Sequence, residues 1–482
     1  MQIAKVQESL ARKALEQPNL LFENLFRYVS HPHWLWVAAE SILQNSGAHT
    51  PGIDGITKAN RENPREFAQQ LSEELKTQVY RPKPVRRVYV PKTDGKMRLP
   101  GISIMRDRVI QEAVRMVLEP ILESHFLNCS VGFRPQRRLM DAIHLITRFT
   151  NNNVKMWWVV KGEIKGCFDN IPHRKLMGAL RQYVKDEKFL ALVASFLSAG
   201  IWEKGKVSKP NSGVSQAGVV SPLLTNTYLH EMDKAWYEKY GKLTEGQKTY
   251  RRVKGLGNVQ LVRYADDFVV LTNGTKEFAH ELRLEFGEIL TNLGLELSDE
   301  IMVTHVNDGF DFLGFHLKRV YSQQTNKQIM LVKPSSESIA KYKVAVDRIT
   351  DRSTIGDDLA NKIKALNAIV EGWANYYRHG NVGEEFRDLA SYTHMRMYYW
   401  LKAKHSNMSA RQSVKKYVMA EYKTTYSKTG TWGCHGVKLI PMTAIERNYY
   451  RINWPERNPY LEHDKSSLVY HDEAPIPDER HI

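Results

Sequence analysis

Asp266 and Asp267 stand side by side within Val259-Gln260-Leu261-Val262-Arg263-Tyr264-Ala265-Asp266-Asp267-Phe268-Val269-Val270-Leu271. Two ionised carboxylates so placed repel one another and lose hydration. A divalent cation is the usual remedy, because Mg²⁺ takes oxygen ligands and bridges substrate phosphates. A second acidic cluster lies in Lys161-Gly162-Glu163-Ile164-Lys165-Gly166-Cys167-Phe168-Asp169. Two-metal nucleotidyl transfer draws carboxylates from more than one strand, with one ion activating the attacking oxygen and the other stabilising the leaving pyrophosphate. Glu163, Asp266 and Asp267 have the composition of such a ligand set. A lone Asp-Asp pair is more often the polar tip of a hairpin, and a lone glutamate a surface acid; the apolar flanks and the preceding Tyr264-Ala265 favour the metal reading.

Strands must hold these groups. The β-branched and aromatic residues on both sides of Asp266-Asp267 predict two short buried strands with the acids at the turn between them. Trp157-Trp158-Val159-Val160 predicts another that runs into Glu163. Helical spacing of apolar residues appears before residue 45, around Arg65–Lys76, and from Asp107 to about Phe126, where it predicts an amphipathic helix. It recurs at 175–200, at Ser221–Tyr240 entered through Ser221-Pro222, and at 276–293. Phe310–Phe315 reads as strand. Beyond about 330, helices rich in Tyr, Trp, Lys and Arg dominate, including Ile363–Tyr377 and Thr393–Lys404.

At 482 residues the chain is too long for one core, and about two to four domains are expected. A formal charge of +16 opposes compaction and calls for a polyanionic partner, of which nucleic acid is the commonest. Cys129, Cys167 and Cys434 are far apart, which excludes a disulfide framework and a cysteine-based zinc site. Neither a secretory signal nor a membrane-length apolar stretch is visible, so a cytoplasmic protein (or an organellar-matrix one in a eukaryote), without a membrane partner, is expected.

Several ordered blocks resemble the reverse transcriptases encoded by group II introns. They are Arg87-Val88-Tyr89-Val90-Pro91-Lys92-Thr93-Asp94-Gly95-Lys96-Met97-Arg98, Asp107-Arg108-Val109-Ile110-Gln111, Val131-Gly132-Phe133-Arg134-Pro135, Ile164–Ile171, Ser221-Pro222-Leu223-Leu224-Thr225-Asn226, Tyr264–Asp267 and Gly309–Phe315. Leu366–Arg378, with Gly372-Trp373-Ala374-Asn375-Tyr376-Tyr377-Arg378, is similar to the maturase or thumb region of that family.

The resemblance implies an α+β fold of right-hand polymerase type: an N-terminal helical extension (1–80), fingers and palm with an antiparallel sheet (81–330), and a helical thumb or maturase domain (335–405). A basic nucleic-acid-binding domain (406–463) and an acidic tail (464–482) would follow, with no endonuclease domain. It implies RNA-templated DNA synthesis with two Mg²⁺ ions held by Glu163, the Ile164 carbonyl, Asp266 and Asp267, Asp267 the more peripheral. Lys92, Arg98, Phe168 and Gln216 would meet the incoming deoxynucleotide, with Phe168 as a gate against a ribose 2′-hydroxyl. Arg134, Gly218, Trp373, Tyr376, Tyr377, Arg378, Lys415 and Lys416 would meet nucleic acid. Implied partners are a template–primer, deoxynucleoside triphosphates and the protein's own intron RNA.

Three departures from the family pattern stand out. Glu163 replaces an aspartate and so moves its carboxylate by a methylene; a misplacement of ~1 Å can cost ~10²-fold in rate. Ala217 replaces the middle glycine of Gln-Gly-Gly and is expected to restrict the backbone. Ser298–His305 lacks a lysine the family usually has. These departures set a rival reading against the polymerase, a splicing factor with a weakened polymerase site; a domesticated reverse transcriptase working in repair or defence is a third reading.

Overall fold

The computed structural model describes the chain apart from residues 1, 61–62, 92–96, 99, 210, 324–325, 420–429, 453–457 and 462–482. Of the described residues, 2–142, 158–303 and 458–461 form one compact unit, and 143–157 with 304–452 another. This division differs from the expected one. The boundary falls at 303–304 rather than near 330. Residues 2–80 belong to the first unit, and 406–452 to the second. The expected tail at 464–482 lies outside the described residues.

The first unit is organised on the helix Met105–Glu123, which is buried nearly all round rather than on one face. Its polar residues can be buried because each meets a partner. Arg115 bridges Glu112 and Glu119, and Gln111 Oε1 accepts the Val219 N–H at 2.9 Å. Pro120 lacks an N–H, which leaves the Met116 carbonyl without its helical donor. The Gln7 side-chain amide of helix Ile3–Glu16 fills that place at 2.9 Å. Trp34 Nε1 of helix Pro32–Gln44 likewise donates to Ala113 O at 3.0 Å. The segment Asn458–Leu461 returns to this helix: Asn458 Nδ2 donates to Pro120 O at 2.8 Å, and the Tyr460 hydroxyl donates to Glu119.

Asp107, in the first turn of that helix, accepts the Tyr80 hydroxyl at 2.6 Å and the Lys83 N–H at 2.9 Å. Burial pushes its carboxyl up to about 6, against the pull of those two bonds and of Arg106. The folded state therefore holds this proton more tightly than the unfolded chain does. The stability it confers is complete below the unfolded value of 3.8 and is lost as pH rises through about 6. A shift of this size corresponds to about 3 kcal/mol. Denaturant unfolding at pH 4 to 7 should show this contribution falling with pH in the wild type, and Asp107→Asn should remove it. An unchanged slope in the variant would assign the pH dependence to other groups.

Three antiparallel strands form the floor of the site: β1 (Trp158–Glu163), β2 (Val259–Tyr264) and β3 (Asp267–Thr272), with β3 between the other two. Their registers run from Trp158↔Thr272 to Glu163↔Asp267, and from Val259↔Thr272 to Tyr264↔Asp267. Phe268 stacks on Phe286 of helix Lys276–Leu293 at 4.1 Å, which fixes β3 to a covering helix. A second sheet pairs Val85–Arg87 antiparallel to Gly101–Ile102 and parallel to Ile201–Glu203.

In the second unit the hairpin Phe315–Ser322/Lys327–Pro334 is followed by helices Ser336–Ile349, Leu359–Tyr377 and Gly383–Lys404. Thr431–Cys434 docks on them: buried Trp432 stacks on His394 at 4.9 Å and donates to its carbonyl at 3.0 Å. That burial joins Thr431–Cys434 to the helices of this unit.

Candidate active site

The strand registers bring the acids together. Glu163 lies directly opposite Asp267, so their side chains share a face of the sheet. Ile164 N–H donates to Asp266 O at 3.1 Å, which ties the end of β1 to the turn. The turn itself is the two-residue link Ala265-Asp266, with Ala265 at a φ of 55°. Such left-handed geometry suits a tight hairpin but costs a non-glycine residue roughly 1–2 kcal/mol. Asp266 and Asp267 are half-buried, and Glu163 is exposed. The buried Cys167 thiol is pushed up by burial, and next by the Asp266 charge. The register thus sets Asp267, rather than Asp266, across from Glu163.

No three His, Cys, Asp or Glu side chains converge into a metal cage among the described residues. Mg²⁺ does not require one. It commonly takes one or two carboxylates, with phosphates and water completing the octahedron. Glu163 and Asp267 on one face, Asp266 at the turn and the Ile164 carbonyl beside them supply oxygen donors of the right kind from two strands, and the residues present fit the group.

Beside the acids, Phe168 is half-buried and packs edge to face on Phe133 at 6.4 Å; Phe133 also meets Tyr264 at 6.3 Å. Gln216 Nε2 donates to Asp169 Oδ2 at 3.1 Å. Burial raises the Asp169 carboxyl, with Arg87 and the Gln216 amide opposing it. Neither Ala217 nor Gly218 takes a positive φ, so alanine costs no backbone strain there, contrary to the expectation. Lys92 lies outside the described residues. Arg98 is opposite Val90 in a short hairpin.

Arg134 is not placed to meet nucleic acid. It is 5% exposed, pairs with buried Glu123 at 2.8 Å, and donates to the Leu127 and Ser130 carbonyls. Its charge is spent on holding the loop that leads to Gly132. A Cβ on Gly132 would lie 2.6 Å from Ala265 N, so the loop touches the acidic turn.

Residues 90–317 match the reverse transcriptase (RNA-dependent DNA polymerase) family, and residues 339–418 the group II intron maturase-specific domain. Protein YkfC of Escherichia coli K12 is 37% identical over 70% of this chain and 94% of its own length. The group II intron-encoded protein LtrA of Lactococcus lactis is 29% identical over 95% of this chain and 86% of its own. The chain belongs to the group II intron-encoded reverse transcriptase and maturase family. RNA-directed DNA polymerisation, use of divalent metal, and binding of intron RNA in splicing are assigned to it at the level of that family. No helix among the described residues is long and apolar enough to cross a membrane.

The maturase-specific segment corrects two further expectations. Trp373 and Tyr377 are 4% and 5% exposed. Their rings pack at 4.4 Å, tilted by 42°, and Trp373 packs on Tyr342 at 5.4 Å, so they form this unit's core instead of a nucleic-acid surface. Tyr376, half-buried, donates to Leu313 O at 3.1 Å, and Tyr377 to Gly314 O at 3.3 Å. The two family blocks around Gly314 and Trp373 therefore recognise each other. Arg378 is half-buried, with its Nε buried and unpartnered. Lys415 and Lys416 are exposed at the end of helix Ala410–Tyr417.

Sequence reasoning missed Arg263. It is wholly buried and salt-bridged to wholly buried Asp233 at 2.6 Å. The available signal was a charged residue inside an apolar strand, which demands a buried partner.

Proposed function

We propose that this maturase extends a primer on an RNA template using two Mg²⁺ ions, with Glu163, Asp266, Asp267 and the Ile164 carbonyl as the protein's oxygen donors. The observation that carries the reading is the Glu163↔Asp267 register, with the Asp266 carbonyl bonded to Ile164 beside it. When bound, the ions would neutralise charge on the reacting phosphates and lower the pKa of the primer 3′-hydroxyl. The chain's own residues do the positioning. Asp169 orients the Gln216 amide beside the site, and Phe133 backs the Phe168 ring so that it can exclude a ribose 2′-hydroxyl. Lys92 and Arg98 would receive the triphosphate of the incoming deoxynucleotide. Gly218, Tyr376, Arg378, Lys415 and Lys416 remain the proposed contacts to nucleic acid, and the RNA bound outside the polymerase cleft would be the protein's own intron.

Primer extension with Mg²⁺ tests the assignment of Glu163. Glu163→Asp should retain activity and raise it by up to about 10²-fold, because the shorter side chain restores the position the family's aspartate gives. Complete loss in that variant would remove Glu163 from the ligand set. A second reading is favoured by the exposed side chain of Glu163, a methylene longer than the family's aspartate: a splicing factor whose polymerase site has weakened. Tight intron-RNA binding without any primer extension by the wild type would establish it.

A further inference from the structure

The guanidinium of Arg263 has five N–H bonds, and all five are used. Nε donates to Asp233 Oδ1 at 2.9 Å, and Nη2 to Asp233 Oδ2 at 2.6 Å and to Ser130 Oγ at 2.8 Å. Nη1 donates to Asn226 Oδ1 at 3.0 Å and to Ala265 O at 2.9 Å. Asp233 and Asn226 lie two turns apart on the helix Ser221–Trp236. Asn226 extends the network, since its Nδ2 donates to Gly132 O at 2.8 Å. One buried cation thus joins a helix, the loop Ser130–Gly132 and the carbonyl that immediately precedes Asp266.

Stability alone does not account for this arrangement. Desolvating an ion pair completely is expensive, and apolar packing of the same volume often serves a core as well or better. What apolar side chains cannot supply is direction. The planar fork of arginine fixes its acceptors in angle as well as distance. The group it fixes belongs to a turn whose alanine sits in the left-handed region and lies close against Gly132.

We propose that Arg263 is a positioning residue for the acidic turn: oriented by Asp233 and Asn226, it holds the Ala265 carbonyl and so sets where Asp266 presents its carboxylate to metal. This rests on the reading of Asp266 as a metal ligand. Groups that orient metal ligands from behind typically change affinity by about 10–100-fold when altered.

The test reads metal binding without turnover. Full-length protein is loaded with an RNA template, a primer ended in a dideoxynucleotide and the matching deoxynucleoside triphosphate. Mn²⁺ is then titrated and followed by electron paramagnetic resonance. Arg263→Lys keeps the charge and loses the fork, and should weaken Mn²⁺ binding about 10–100-fold with template–primer affinity unchanged. Asn226→Ala leaves the Arg263–Asp233 pair intact and should shift binding the same way by a smaller factor. Hydrogen exchange at residues 264–268 should quicken in both. Should Arg263→Lys fail to fold, Asn226→Ala decides. Folded variants that bind Mn²⁺ like the wild type, while Asp266→Ala does not, would overturn the positioning role and leave the metal reading standing. Wild-type Mn²⁺ binding by Asp266→Ala would instead overturn the metal reading.

Discussion

Asp266→Ala should reduce primer extension on an RNA template to background, a fall of about 10³-fold or more, while affinity for a structured RNA changes by less than about twofold. Metal stabilisation of developing charge contributes several kcal/mol to such reactions, and each ~1.4 kcal/mol is a factor of ten in rate. RNA affinity, by contrast, comes chiefly from phosphate contacts made by cations across the surface. The two measurements therefore separate the site from the scaffold. Unfolding controls the interpretation: removing one of two adjacent carboxylates relieves repulsion, so the variant should melt no lower than the wild type. Asp267→Ala assayed beside it ranks the acids. The register sets Asp267 across from Glu163, and a loss as deep as that of Asp266→Ala would make it a full ligand rather than a peripheral one. Substantial extension by Asp266→Ala would remove the acidic turn from the chemistry altogether.

Local signals in the sequence suffice where the period is strong and the ends are marked. Helix Lys276–Leu293 sits where 276–293 was expected, entered through the Thr275 cap and closed by left-handed Gly294. Strand β1 reaches Glu163 as expected. The stretch 175–200 is two helices, because Asp186 caps a second one that begins at Glu187. What stays hidden depends on partners distant in sequence. Helix Met105–Glu123 looks amphipathic because its acids imply a wet face; they are buried only because Tyr80, Arg115, Arg134 and Tyr460 come to meet them. Arg134 looks free for nucleic acid for the same reason, since Glu123 is visible as its partner only after folding. Trp373 and Tyr377 are different. They continue the Ile363, Leu366 and Val370 stripe at helical spacing, and that period already marks them as core; reading aromatic rings as stacking platforms overrides it. The place of Asp266 and Asp267 at a turn between strands is legible because the acids and those two strands are contiguous in sequence, whereas the Glu163↔Asp267 pairing joins strands far apart in the chain.

The excess of positive charge leads to the last expectation. With 69 Lys and Arg against 53 Asp and Glu, the chain carries +16. Several of its arginines are consumed inside the first unit: Arg115, Arg134 and Arg263 each face buried carboxylates. Those pairs neutralise themselves, so the surplus falls on exposed side chains such as Lys415 and Lys416. Affinity for RNA should accordingly collapse with salt. For a footprint of about 6–10 phosphates at ~0.7 each, counterion release predicts a fall of about 10²–10⁴-fold between about 50 and 200 mM salt. Filter binding across that range measures the slope directly. Lys415→Ala with Lys416→Ala should flatten the slope of log affinity against log salt by about 1.4, at ~0.7 for each single-strand phosphate no longer neutralised. Affinity should also fall by a similar factor for unrelated RNA sequences, since phosphates carry no base identity. A salt-independent affinity would mean that base stacking or shape, rather than this excess charge, holds the RNA. An unaltered slope in the double variant would place the phosphate-binding surface elsewhere on the protein.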